Sequence, residues 1–131
     1  MTDIPILIVD DNPLNARLLS YILGTKGFAV RIATHAAEAH TLLESYAPRL
    51  ILMDVQLPGM DGLQLTRLLK EDPRTKDILI VAVTASAMAG DESRALSAGC
   101  DGYITKPIDT RTLAAQVMGY LERGAAQGGS P

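Results

Sequence analysis

Short, almost wholly apolar runs alternate along this chain with longer stretches in which apolar residues recur at helical spacing. The apolar runs are Ile4 to Val9, Phe28 to Ala33, Leu50 to Met53, Ile78 to Val83 and Gly102 to Thr105. Runs this short, bounded by turn signals, read as strands, and the most apolar of them as strands buried on both faces. Pro5 falls near the start of the first run, where a strand tolerates proline.

The stretches between them read as amphipathic helices. Leu14, Leu18 and Ile22, with Leu19 and Leu23, mark the first; Asp11 or Asn12 caps it, Pro13 suits its first position, and Gly24 and Gly27 end it. Thr34 is expected to cap a second helix with Ala36, Ala39, Leu42, Leu43 and Tyr46 on its apolar face, stopped by Pro48. After the turn Pro58-Gly59-Met60-Asp61-Gly62, a third helix turns Leu65, Leu68 and Leu69 inward and closes at Asp72-Pro73. The small residues Ala85 to Gly90 lead into a fourth helix ending near Gly99. A fifth, capped by Asp109 or Thr110, buries Leu113, Val117 and Leu121. The Gly-, Ala- and Ser-rich end predicts a domain over 1–123 and a flexible tail over 124–131.

Five strand–helix units imply a parallel sheet with helices on both faces. Right-handed crossovers then make an α/β, doubly wound (βα)5 fold. The 131 residues fit one domain, and no internal repeat stands out beyond the alternation.

Composition narrows the class only a little. Charge is mixed, with a mild net charge of −3, which argues against non-specific nucleic-acid binding. The single cysteine, Cys100, excludes an internal disulfide and reads as a small buried apolar residue. No signal peptide and no apolar run of membrane-spanning length are visible, so a cytoplasmic protein is expected.

The chemistry lies at the strand ends. In such folds ligands bind beyond the carboxyl ends of the strands, where strand order reverses. The first strand ends on Asp10-Asp11, the third on Asp54, the fourth on Thr84 and the fifth on Lys106. Carboxylates gathered at one edge repel each other and raise the affinity for a cation. With all-oxygen ligands the ion expected is hard, Mg²⁺ above all, and the backbone carbonyl of Gln56 could add an oxygen. A phosphoryl group fits beside it, with Lys106 offsetting charge on its oxygens and Thr84 donating a hydrogen bond. Asp54, on the central strand, is the best candidate nucleophile. Asp109 reads as a helix cap. His35 and His40 read as belonging to the exposed side of the second helix, away from this site.

The segments Val9-Asp10-Asp11-Asn12, Leu52 to Gly62, Val83-Thr84-Ala85 and Lys106-Pro107-Ile108 together resemble the receiver domain of two-component response regulators. The resemblance spans roughly residues 4–122. Asn12-Pro13-Leu14-Asn15 and Val81 to Met88 look most like DivK-type single-domain regulators and the receivers of hybrid sensor kinases. It implies a flavodoxin-like fold with strand order 2-1-3-4-5. It also implies that Asp54 takes a phosphoryl group from a histidine kinase or histidine phosphotransfer protein. Asp11 and Asp54 would bind Mg²⁺ directly and Asp10 through water. The Lys106–Pro107 bond would be cis. Thr84 and Tyr103 would act as the switch that remodels the surface of helix four, strand five and helix five for a downstream protein effector. Ala85 would keep the site open, and Gln56 and Ser86 would tune the lifetime of the acyl phosphate.

Rival readings fit less well. An aspartyl-phosphate phosphatase would carry a second Asp two residues past the nucleophile, where Gln56 stands. A flavin module needs a hydroxyl- and amide-rich loop after the first strand to hold a phosphate, and Asp10-Asp11 would repel that phosphate. A dinucleotide-binding domain needs Gly-x-Gly-x-x-Gly there. We therefore expect a signalling switch that dephosphorylates itself slowly, not an enzyme. No helix-turn-helix is visible, so output is expected through protein contact or phosphate relay. Met1 and the short tail favour a free-standing regulator over a receiver excised from a hybrid kinase.

Overall fold

The computed structural model describes residues 4–57, 59–84 and 89–128. Ten elements follow in strict alternation: β1 (Ile4–Val9), α1 (Pro13–Gly24), β2 (Phe28–Ala33), α2 (Ala36–Leu43), β3 (Leu50–Asp54), α3 (Gly62–Glu71), β4 (Leu79–Thr84), α4 (Ala89–Ser97), β5 (Gly102–Thr105) and α5 (Leu113–Gly128). The strands form one parallel sheet in the order β2-β1-β3-β4-β5. This is the doubly wound, flavodoxin-like arrangement expected.

The apolar strands split between two cores because successive side chains leave a strand on opposite faces. Leu7, Val9, Ile51, Met53, Ile80 and Ala82 meet α2, α3 and α4 on one face. Ile6, Ile8, Leu50, Leu52, Val81 and Val83 meet α1 and α5 on the other. A strand buried on both sides needs no polar face, which is why these runs do not alternate in sequence.

Helix orientation follows the sequence less closely. On α1 the buried residues are Ala16, Leu19 and Leu23, while Leu14 and Leu18 are 76% and 50% exposed. On α3 Leu63, Leu65 and Leu69 turn inward, and Leu68 faces out, against expectation. Small residues supply the closest packing, so counting large apolar side chains misplaces the face.

Caps differ by a residue or two. Asn12 caps α1, its side chain accepting from the Asn15 N–H. His35, not Thr34, caps α2: its Nδ1 accepts from the Glu38 N–H at 3.2 Å. Thr34 instead donates its N–H and hydroxyl to the Glu38 carboxylate. Asp109 accepts from the Arg111 N–H and shapes the turn before α5, which begins only at Leu113. Leu113, Val117 and Leu121 are its buried residues, as expected. The helix continues through Gly128, past the boundary drawn at Arg123. Of the expected tail, 129–131 lie outside the described residues, as do Pro58 of the β3–α3 turn and 85–88 of the segment entering α4.

One contact ties this frame to the sheet edge. A Cβ on Gly62 would stand 2.1 Å from the carbonyl oxygen of Asp54. The start of α3 can approach the end of β3 only because residue 62 has no side chain. The obstacle is backbone and cannot rotate away. Gly62→Ala should therefore destabilise the fold by about 1–3 kcal/mol, the usual cost of overpacking, although alanine is the better helix former. A lower midpoint in urea denaturation is the expected reading.

Candidate functional site

The two-residue period of the strands also decides which polar residues meet. Asp54 continues the series Leu50, Leu52, and Asp10 continues Ile6, Ile8, so both belong to the face packed by α1 and α5. β1 and β3 are neighbours, paired up to Val9 and Met53, and the two acids fall side by side at the edge. Lys106 follows Ile104 on the same face. Thr84 follows Ala82 on the opposite face, where Tyr103 is half-buried against the α2–α4 core.

Both acids are nearly inaccessible, Asp10 at 4% and Asp54 at 5% exposure. Asp11 is exposed at the rim. One carboxylate oxygen from each of Asp10, Asp11 and Asp54 can be chosen so that all three lie within 4.8 Å of one another. They border an open cavity of about 780 Å³, also lined by Asn12, Asn15, Gln56, Lys106 and Thr110. Thr84 does not line it. Its carbonyl accepts the Lys106 N–H at 2.7 Å, which holds the turn after β5 against the end of β4.

Each buried oxygen has a donor. Asp54 Oδ1 accepts the Gln56 N–H at 3.0 Å, and Oδ2 lies 3.3 Å from the Lys106 ammonium. Asp10 Oδ1 accepts the Asn12 N–H at 2.9 Å, and Oδ2 accepts the Asn15 side-chain amide at 2.6 Å. Burial pushes the Asp54 carboxyl above its ordinary range. The Gln56 N–H and Lys106 pull it back, and the Asp10 charge adds to the rise.

The donor set suits a hard divalent cation: carboxylate oxygens from three residues, neither sulfur nor imidazole, and a mouth wide enough for the waters Mg²⁺ retains. The Lys106–Pro107 bond is cis, as the resemblance implies. His35 and His40 are exposed on the α2 side, away from the cavity. Cys100 is buried near Thr66, and burial raises its thiol. Ala85 and Ser86, expected beside Thr84, lie outside the described residues. The sequence reading missed Asn15. Its signal was present: an asparagine, a poor helix former, in the first turn of a helix that opens just past two acids.

Among the described residues no helix is long and apolar enough to cross a membrane. The response regulator receiver domain family matches residues 6–118. The polar-differentiation response regulator DivK of Brucella anthropi is 40% identical over 116 residues, 88% of this chain and 94% of that protein. The receiver domain of a signal transduction histidine kinase from Syntrophus aciditrophicus is 36% identical with a TM-score of 0.83, covering 91% of this chain and 90% of that one. The receiver domain of a sensor histidine kinase from Pseudomonas aeruginosa, solved with a magnesium ion in its active-site cleft, is 30% identical. Its TM-score is 0.83, over 92% of this chain and 99% of that one. The edge of acids facing one lysine, on a sheet ordered 2-1-3-4-5, thus belongs to a member of the response regulator receiver domain family, whose general function is to accept a phosphoryl group.

Proposed function

We propose that Asp54 is the phosphoryl acceptor of a signalling switch, charged by a histidine kinase or a histidine phosphotransfer protein. One observation carries the reading. The buried Asp54 carboxylate opens onto a cavity with Lys106 on one oxygen, the Gln56 N–H on the other and two further acids beside it.

In the transfer, an Asp54 oxygen attacks the donor phosphorus. The O–P bond forms as the P–N bond breaks, and the electron pair stays on the ring nitrogen. With the donor's other ring nitrogen already protonated, the histidine departs as neutral imidazole and no further proton is needed. Desolvation makes the Asp54 carboxylate more basic than an exposed one, and Gln56 fixes its rotamer. Lys106 then faces the new phosphoryl oxygens. Mg²⁺, held by Asp11 and Asp54, by Asp10 through water and by the Gln56 carbonyl, would offset the charge of the carboxylates and of the phosphoryl oxygens.

Leu14, Leu18 and Tyr21 of α1 are exposed, Leu18 also lines the cavity, and together they suit an apolar helical surface on the donor. Output runs through Thr84 and Tyr103, on the other face of the sheet, to the α4–β5–α5 surface and a downstream protein effector. The chain holds the phosphoryl group as a signal and loses it slowly; Gln56, not an acid, stands two residues beyond the acceptor. A donor charged from ATP works in the cytoplasm, where this reading puts the chain. The 36% identity to a kinase receiver supports the same chemistry within a larger kinase as a second reading.

Acetyl phosphate with Mg²⁺ should label the chain, and Asp54→Asn should not be labelled; undiminished labelling of the variant would sink the assignment. Thr84→Ala should keep the label but lose phosphorylation-dependent effector binding, read by pull-down.

Stability should report the same charges. Because burial raises the Asp54 pKa, its contribution favours folding at low pH and is lost as pH rises through the folded value. In metal-free buffer Asp54→Asn should therefore have the higher Tm at pH 7, with the gap closing towards pH 4. Mg²⁺ should reverse the order, adding about 1.4 kcal/mol to the unsubstituted chain at tenfold excess over its Kd.

A further inference from the structure

We infer that Asn15 is a positioning residue for the metal site: its side-chain amide holds the Asp10 carboxylate in the orientation that the acidic cluster needs to bind a divalent cation. The inference rests on the reading of that cluster as a Mg²⁺ site.

Asp10 is almost fully buried, and both its oxygens are already in use. Asn12 donates its backbone N–H to Oδ1 at 2.9 Å, and Asn15 donates its amide to Oδ2 at 2.6 Å. The Oδ2 contact is shorter than the bonds that Asp54 accepts from Gln56 and Lys106. The two donors come from one small ring. The Asn12 side chain accepts the Asn15 N–H at 3.1 Å, and the Asn12 carbonyl accepts the Ala16 N–H at 3.0 Å. The first turn of α1 therefore fixes both residues relative to Asp10.

Asn15 stands at the third helical position, three residues after the Asn12 cap. A long polar side chain there ordinarily reaches back to the N–H of the cap residue. On α3 that is what happens: Gln64 accepts from the Asp61 N–H. On α1 the corresponding N–H is committed to Asp10, and Asn15 reaches past the cap to the same carboxylate. The capping geometry is diverted to the site.

This matters because the carboxylates repel. Lys106 lies against Asp54, not Asp10. Without Asn15, Asp10 would keep a single donor and could rotate away from its neighbours. Mg²⁺ would then have to gather it back, at a cost in affinity. With both oxygens occupied, Asp10 is also better placed to hold a metal-bound water than to bond the ion directly.

The test is Mg²⁺ affinity, measured by calorimetric titration and by the Mg²⁺-induced rise in Tm. Asn15→Leu removes the donor at similar volume. Asn15→Ala removes it with the best helix former, should leucine fold poorly. Leu23→Ala is the control: it loosens the packing of α1 at its far end and keeps Asp10, Asn12 and Asn15 unchanged. The Asn15 variants should bind Mg²⁺ about three- to tenfold more weakly, just under the ~10–100-fold usual for outer-shell partners, because the Asn12 N–H still holds Asp10. Leu23→Ala should lower the metal-free Tm and leave the Mg²⁺ Kd within twofold. Unchanged Kd in the Asn15 variants overturns the inference, as does equal weakening in Leu23→Ala, which would make the effect one of helix stability. No Mg²⁺ response from the unsubstituted chain overturns the reading of the site itself, and this inference with it.

Discussion

Two buried carboxylates on adjacent strands are the constraint around which this molecule is arranged. Asp10 and Asp54 share a face and an edge, are almost inaccessible to water, and carry like charge. A buried charge without partners is among the most costly features a fold can hold. Here every oxygen is met, by two backbone N–H groups, one amide and one ammonium. Those partners come from the turns after β1, β3 and β5 and from the first turn of α1. The loops at this edge thus have their conformations set by the acids. The Gly62 approach to the Asp54 carbonyl belongs to the same arrangement, since it brings α3 onto the end of the strand that carries Asp54.

The sheet separates two tasks. The acids and Lys106, which we propose to handle the phosphoryl group and its counter-ion, lie on the α1/α5 face, at one cavity. The switch candidates Thr84 and Tyr103 belong to the α2–α4 face. One contact between the two sets is made by the backbone at the edge, where the Thr84 carbonyl accepts the Lys106 N–H. A change in charge around Lys106 therefore meets the end of β4 directly. This is one physical route from the proposed acceptor to the far face.

What could be read from the chain follows the same logic. The strand ends were legible because apolar runs terminate abruptly and topology sends their carboxyl ends to one edge. Asp10, Asp11, Asp54 and Lys106 gather there as expected, while Thr84 shares the edge but not the cavity. Helix faces were less legible. Leu14, Leu18 and Leu68 satisfy the helical period yet point outward, since a stripe of leucines on a helix serves a partner as well as a core. The His35 cap was hidden because an imidazole nitrogen is an uncommon cap acceptor. Asn15 was passed over because an asparagine near a helix start looks like ordinary cap chemistry. Only the distance to Asp10 separates the two roles.

The opposite edge of the sheet explains how the fold bears a site of this kind. There the Lys70 ammonium donates to Asp101 and to the carbonyls of Lys76 and Ile78, using all three of its hydrogens. The same Asp101 oxygen accepts the Ile80 N–H, which pins the starts of β4 and β5 to the end of α3. At the other side the Tyr46 hydroxyl lies 3.1 Å from the carbonyls of Ile6 and Ala29, bridging β1 and β2. The amino edge is therefore cross-linked by pairs whose charges are opposite or neutral, and the carboxyl edge concentrates charges that repel. The contacts that cross-link the sheet and the proposed site thus occupy opposite ends of the same strands, and the Mg²⁺ and phosphoryl group of the proposed function would act on the end where like charges gather.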